Sequence, residues 1–417
     1  MPSAVVVGGG IAGLVIAREL VIGGVAVTVL EASGRLGGKV SRHTVAGIEL
    51  DAGAESFATR NGTVATLADG LGLVVERPNP TGAWLQTSDG RAFPLPKTSL
   101  LGIPSTPLAA DVIDVVGMRG ALRAQLDELM LGFAASKERN FGRLVRRRMG
   151  AAVLERLVAP ITLGIHSRHP DELDVDIVAP GLRRTMSRVG SLAHAVRELR
   201  ADAPAGTAVS GVRGGVFEIV DALADDLRRR GAVLRLSSPV AAVAADGVTL
   251  ATGERVVADI VVLAAALATA GEATVTLATL VLDAPRLDGA PRGTGLLVAP
   301  GAAGIGAKAL THSSAKWPWL AARLGEHQHV VRLSYERVAL EGLREQARRD
   351  AEKLLGIEIA ASSIRGFDTV GWTQPAAPQP AIDGVTIIGE GTAGTGLAAV
   401  VGQAQREAER LLGDLGA

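Results

Sequence analysis

The sequence predicts an α/β protein: a doubly wound parallel-sheet domain, a mixed α+β domain and a helical domain. Three observations carry that reading. Near the front, the β-branched run Ala4–Val7 passes through the glycine turn Gly8–Gly13 into Leu14, Ala17, Leu20 and Val21 at helical spacing, and a second apolar run, Val25–Leu30, follows. Near the back, Val385–Ile388 leads through Gly389–Gly396 into an amphipathic stretch, Leu397–Leu412. Between them, 101–204 is dense in helical spacing (Leu122, Leu126, Leu129; Leu144, Val145; Val153, Leu154, Leu157), while 71–100 and 271–374 mix strand and helix signals.

The first turn has a specific physics. Gly8 permits a tight turn, Gly10 lets backbone approach a pyrophosphate, and Gly13 lets helix and strand pack closely. Ile11 and Ala12 open the helix, whose free N–H groups and positive dipole end favour an anion. Glu31 ends the second strand, where a carboxylate accepts hydrogen bonds from ribose hydroxyls. Strand, glycine turn, helix, strand and acid together make this domain Rossmann-like and its ligand a dinucleotide. The rear turn, Gly394-Thr395-Gly396-Leu397, again meets a helix N-terminus. Two glycine motifs converging on one ligand make the domain discontinuous. Its middle piece starts at Gly214-Gly215, with a helix over Phe217–Arg230 and strands at Ala232–Leu236, Val240–Ala244, Gly247–Leu250 and Ile260–Leu263. The expected division is 1–70, 205–270 and 375–417 for this domain, 71–100 and 271–374 for the mixed domain, and 101–204 for the helical one.

Composition narrows the function. Lys+Arg and Asp+Glu both number 43, and zero net charge argues against nucleic acid, which calls for a basic face. The 47% of hydrophobic residues suffices for large cores. No cysteine means no disulfide, thiolate metal site or cysteine nucleophile, and fits a reducing cytoplasm, the compartment expected here. The seven histidines show no metal-ligand spacing, and His327 and His329 read as exposed on a polar turn. Arg146–Arg148 reads as a solvated helix face. No charged leader precedes an apolar run, and no run approaches the ~20 residues of a membrane span. Peripheral membrane contact stays open, as does oligomeric state.

Several segments resemble known families. Arg35-Leu36-Gly37-Gly38-Lys39 after Glu31-Ala32 resembles the R-x-G-G segment of FAD-dependent oxidoreductases, in which loop and arginine fold over adenosine and diphosphate. Gly53-Ala54-Glu55-Ser56, preceded by Asp51, resembles the segment that passes the flavin in the flavin amine oxidase superfamily. Asp51 and Glu55 also read as ordinary cap or turn acids. Asn140–Pro160 with Ile161–His166 and Pro170–Leu173, then Phe93–Lys97 and Ser313–Pro318, resemble the protoporphyrinogen/coproporphyrinogen oxidase family.

That resemblance implies non-covalent FAD, since no cysteine exists for a thioether link, and oxidation of a porphyrinogen to the porphyrin in heme biosynthesis, with O2 as acceptor. Coproporphyrinogen III is favoured over protoporphyrinogen IX. The flavin carries the chemistry, so no catalytic side chain and no metal is expected. The resemblance also implies that Val240 offers backbone to the adenine, that Trp372 lies near the flavin, that Gly164 and Ile165 face the substrate, and that Arg60 meets a propionate through its planar fork. Packing alone would equally place a valine at 240 and a tryptophan at 372. Gly164 has a plainer reading as a turn glycine with positive φ. The tyrosine, the glycine-histidine pair and the helix that follow Pro-Gln in the family are missing after Pro378-Gln379-Pro380. Two alternatives remain: an amine oxidase or phytoene desaturase-like enzyme, and a flavoprotein that binds FAD or porphyrin without turnover. With Tyr335 as its one tyrosine, the chain is poorly equipped to build the aromatic cage of an amine oxidase.

Overall fold

The computed structural model describes residues 1–59, 62–131, 135, 137–166, 168–201, 209–265, 274–373, 381–394 and 396–416. The chain separates into two compact units, one of residues 1–78, 208–275 and 370–417, the other of 79–207 and 276–369.

The first unit is the doubly wound one. Its sheet holds β1 (Ser3–Val7), β2 (Ala26–Leu30), β3 (Val233–Arg235), β4 (Ile260–Leu263) and β5 (Thr386–Ile387), in the order β3-β2-β1-β4-β5 and parallel throughout. Helices α1 (Ile11–Ile22), α2 (Glu218–Arg229) and α3 (Leu397–Gly416) belong to the same unit. The β-branched run of β1 is explained by burial on both faces. Ala4 and Val6 pack with the helices, and Val5 and Val7 pack with a small antiparallel sheet of Val240–Ala244, Gly247–Leu250 and Arg255–Val257. Val5 and Val6 are fully buried, each contributing about 1.5–3 kcal/mol by the usual burial scale. Helix α3 docks on α1 at Gly23, where any Cβ would overlap Leu412.

The second unit is built on a seven-stranded sheet, in the spatial order Ile364–Trp372, Val275–Asp283, Gln328–Glu336, Ala309–His312, Gly295–Val298, Trp84–Gln86, Ala92–Pro94. Alternation along the strands gives it two cores. Leu296, Leu310, Leu333 and Tyr335 pack with the helix Leu343–Leu355. Leu85 joins a helical core with Val115, Phe141, Leu144, Leu157 and Val196, against which Phe93 and Leu297 also pack. The stretch 101–204, expected as a domain of its own, falls in one compact unit with the sheet, and the sheet's Leu85 is part of its core.

The basic run is corrected. Arg146 and Arg147 are exposed, but Arg148 is fully buried. Its Nε donates to Asp127 Oδ1 at 2.5 Å, and its other nitrogens reach the carbonyls of Leu131, Asp127 and Gly190. Asp127 Oδ2 also accepts from Ala193 N. Burial raises the Asp127 carboxyl, against the lowering pull of the Ala193 amide and Arg148. The period of this helix points its third arginine inward, and the acid that neutralises it comes from another element.

Candidate cofactor site

The first unit's glycine turn divides its work among three residues. Gly8 has φ +106, and a Cβ there would meet Ala265 Cβ at 2.8 Å. Gly13 lies against the turn so closely that a Cβ would come within 3.0 Å of Gly8 O. Gly10, the residue before α1, has an ordinary φ of −74, and a Cβ there would meet nothing within 4 Å. So Gly8 and Gly13 are required by the fold itself, whereas Gly10 borders open space. Helix α1 begins at that space with no side-chain cap and no acid in its first turn. The first N–H groups at Ile11 and Ala12 therefore keep their positive end for an anion.

Glu31 is set beside the turn. Its Oε2 accepts from Gly9 N at 2.8 Å, and its Oε1 accepts from Ser33 N at 2.8 Å and Ser33 Oγ at 2.7 Å. A carboxylate accepts several hydrogen bonds, and these two N–H groups fix its orientation while leaving lone pairs for hydroxyl donors. Ala32 and Arg35 are exposed. Gly37 bridges Gly10, and its N–H bonds Gly9 O at 2.8 Å. Gly38, at φ +59, would place a Cβ 3.6 Å from Gly10 Cα. The R-x-G-G segment thus folds onto the turn, and Arg35 donates to Gly38 O at 3.2 Å.

Further segments join it within this unit. Trp372 Nε1 donates to Ala52 O at 3.1 Å, and Gly53 packs beneath the Lys39 carbonyl, where a Cβ would overlap. Ala54 is exposed, and Glu55 and Ser56 are half-buried. Asp51 caps α2, accepting from Val216 N at 3.1 Å and Phe217 N at 2.9 Å. Val240 opens its strand opposite Leu250 at a bulge. Gly394 and Gly396 have φ of +85 and +101, and neither would crowd a Cβ. Leu397 begins α3.

Two contributors, Glu390 and Gln403, were not anticipated. Lys39 Nζ pairs with Glu390 Oε2 at 2.6 Å, joining the two glycine segments. Gln403 on α3 accepts from Gly389 N at 2.9 Å and bonds Thr392 Oγ1, so it holds the rear turn. The acid in Gly389-Glu390-Gly391 was the signal for the first of these. Nothing local marked Gln403.

Arg60 and Thr395 lie outside the described residues, as does the side chain of Ile165. Gly164, in the second unit, is not a turn glycine. It lies inside the helix Ala159–His166 without a positive φ, and its Cβ direction is occupied by Leu297. Its bareness lets that helix approach the strand Gly295–Val298. Among the described residues, no group of three or more His, Asp or Glu is placed to hold a metal ion, and no helix is long and apolar enough to cross a membrane.

An uncapped helix end facing open space at Gly10, with an oriented carboxylate one strand away, fits a dinucleotide. A family model, flavin containing amine oxidoreductase, matches residues 11–291. The chain belongs to that family. It is 29% identical over 299 residues to a coproporphyrinogen III oxidase of Propionibacterium freudenreichii subsp. freudenreichii, covering 63% of this chain and 57% of that one. It is 30% identical over 356 residues to a coproporphyrinogen III oxidase of Mycobacterium leprae, covering 79% and 76%. The chain therefore spans little more than half the length of the first relative. In fold it is similar to the crystal structure of a candidate protoporphyrinogen oxidase from Exiguobacterium sp. 255-15, with a TM-score of 0.79 over 99% of both chains at 21% identity.

Proposed function

We propose that this flavin oxidoreductase binds FAD without a covalent bond and oxidises a porphyrinogen to its porphyrin, with coproporphyrinogen III favoured and O2 as electron acceptor. The observation that carries the cofactor is the open space at Gly10 before an uncapped α1. The first-unit residues divide the cofactor between them. Gly8, Gly10, Ile11, Ala12 and Gly13 receive the diphosphate on backbone N–H groups. Glu31 accepts from ribose hydroxyls, and Ala32, Arg35, Gly38 and Lys39 cover the adenosine side. Val240 serves the adenine, and Gly53, Ala54, Glu55, Ser56 and Trp372 serve the ring end. Gly394, Thr395, Gly396 and Leu397 close the site. When bound, the flavin supplies the two-electron acceptor, and the protein orients the substrate and excludes side reactions.

The substrate assignment rests on the coproporphyrinogen III oxidases to which the chain is similar. Arg60, Gly164 and Ile165 are assigned to the substrate, Arg60 through a bidentate pair with a carboxylate. Acid precipitation of the purified yellow protein tests the cofactor: all flavin should leave with the supernatant. Anaerobic mixing with each porphyrinogen then tests the reaction. Bleaching of the flavin by coproporphyrinogen III, faster than by protoporphyrinogen IX, is expected. Flavin retained on the pellet, or no bleaching with either compound, would overturn the corresponding part.

A further inference from the structure

The second unit carries a polar cluster of its own. His312 closes the strand Ala309–His312 and is 1% exposed. Its Nε2 lies 3.2 Å from His329 Nδ1 on the adjacent strand, with the rings edge-on at 5.2 Å. His329 Nε2 lies 3.0 Å from Asp288 Oδ1, and Asp288 Oδ2 lies 2.7 Å from His327 Nδ1. Side-chain exposure rises outward, from 12% at His329 to 39% at His327 and 47% at Asp288. The sequence placed both His327 and His329 on an exposed turn. Only His327 stays there, at φ +58. Strand alternation turns His329 to the inner face with Val331 and Leu333.

The hydrogen bonds fix the tautomers. Asp288 is held below the usual carboxylate range, by the His329 hydrogen bond first and by His327. It is an acceptor only, so His329 Nε2 and His327 Nδ1 donate. A neutral His329 then presents a bare Nδ1, and His312 must donate from Nε2. That leaves His312 Nδ1 bare, and this atom is buried with no hydrogen-bond partner. Buried polar atoms are seldom left so, and each calls for a reason.

We propose that the His312–His329 pair is a proton-loaded switch: one proton gained in acid puts the charge on His329, against Asp288, and converts His312 from an Nε2–H to an Nδ1–H imidazole. The protons balance. The unloaded pair holds two, on the two Nε2 atoms. On loading, the His312 Nε2 proton passes to His329 Nδ1, and the proton from solvent ends on His312 Nδ1. Only N–H bonds change. The charged groups acting on the pair are Asp288, which favours the charge on His329, and His327, which opposes it, with Glu326 3.6 Å beyond His327. Burial disfavours the charge at His312 more than at His329, since His312 is the more enclosed.

Long-range nitrogen-15 NMR of the histidine-labelled full chain tests this through an acid titration, with His312→Gln identifying the His312 signals. At neutral pH His312 should show a protonated Nε2 and a bare Nδ1. As His329 titrates, the two His312 nitrogens should exchange character at the same midpoint. A His312 that keeps its tautomer while His329 titrates, or that carries Nδ1–H at neutral pH, overturns the switch. Asp288→Asn, on the surface, removes the charge opposite His329 and should lower the shared midpoint by about one pH unit or more. An unchanged midpoint in that variant also overturns it.

Discussion

Alanine at Gly10 and alanine at Gly13 should fail in opposite ways, although the two glycines belong to one motif. At Gly10 the new methyl meets nothing within 4 Å and φ is an ordinary −74. The flavin-free fold should accept it, and removing a flexible glycine from the unfolded chain should add about 0.4–1 kcal/mol of stability. The same methyl occupies the space through which a phosphate reaches the first N–H groups of α1. Holding the phosphate off by a methyl radius forfeits one or two charge-assisted hydrogen bonds, each about 1.5–3 kcal/mol, or roughly ten- to a hundredfold in affinity apiece. At Gly13 the methyl comes within 3.0 Å of the Gly8 carbonyl oxygen, a backbone atom with no rotamer to yield. Helix α1 would have to lift off the turn, at an overpacking cost of about 1–3 kcal/mol even without cofactor. Urea denaturation of both flavin-free variants, followed by FAD titration monitored by flavin fluorescence, separates the outcomes. If Gly10→Ala loses as much stability as Gly13→Ala while binding FAD like the parent, the division of roles is wrong.

Further outcomes follow from the same geometry. Glu31→Ala should weaken FAD about ten- to a hundredfold in apoprotein titration, since a charged acceptor is lost and Gly9 N and Ser33 N lose their partner. Arg148→Met should destabilise by about 3–5 kcal/mol in chemical denaturation, because Asp127 is left buried without its cation; a change below 1 kcal/mol would contradict that. Acid should unfold the protein partly through His312, which burial lowers from 6.5 to about 3. The unfolded chain binds this proton first, so stability is complete above about pH 6.5 and falls by about 1.4 kcal/mol per unit below it until pH 3. His312→Gln should flatten the slope of stability against pH between pH 6 and 4. Gly164→Ala presses on the end of Leu297, a flexible side chain. A melting temperature changed by only a few degrees with turnover largely lost would place Gly164 at the substrate, whereas unchanged flavin reduction would confine it to packing.

The cofactor domain was legible because its signals are local. Gly8 takes a positive φ inside the turn and Gly13 packs on the Gly8 carbonyl a few residues back, and β1 shows its double burial in an unbroken β-branched run. The strands Val240–Ala244, Gly247–Leu250 and Ile260–Leu263 were readable for the same reason. The misread residues depend on distant partners. Arg148 is buried because Asp127 and the Gly190 carbonyl await it. The turn alternative for Gly164 fails likewise, since Leu297 from a strand far along the chain fills its side. His329 looked exposed because its neighbours are polar, and only the register with Val331 and Leu333 turns it inward.

The pairing of Lys39 with Glu390 spans 351 positions, and that distance is also a time. At about 5–20 residues per second of synthesis, the rear turn emerges roughly 20–70 s after the front one. Until Leu263 has emerged β1 lacks its neighbour β4, and until Leu397 has emerged α1 lacks α3 against Gly23, so the uncapped end of α1 stands on a half-built domain. Flavin capture is therefore a late event in the life of each new chain. The face of α1 that α3 covers is exposed to other chains for as long as the ribosome takes to reach Leu397.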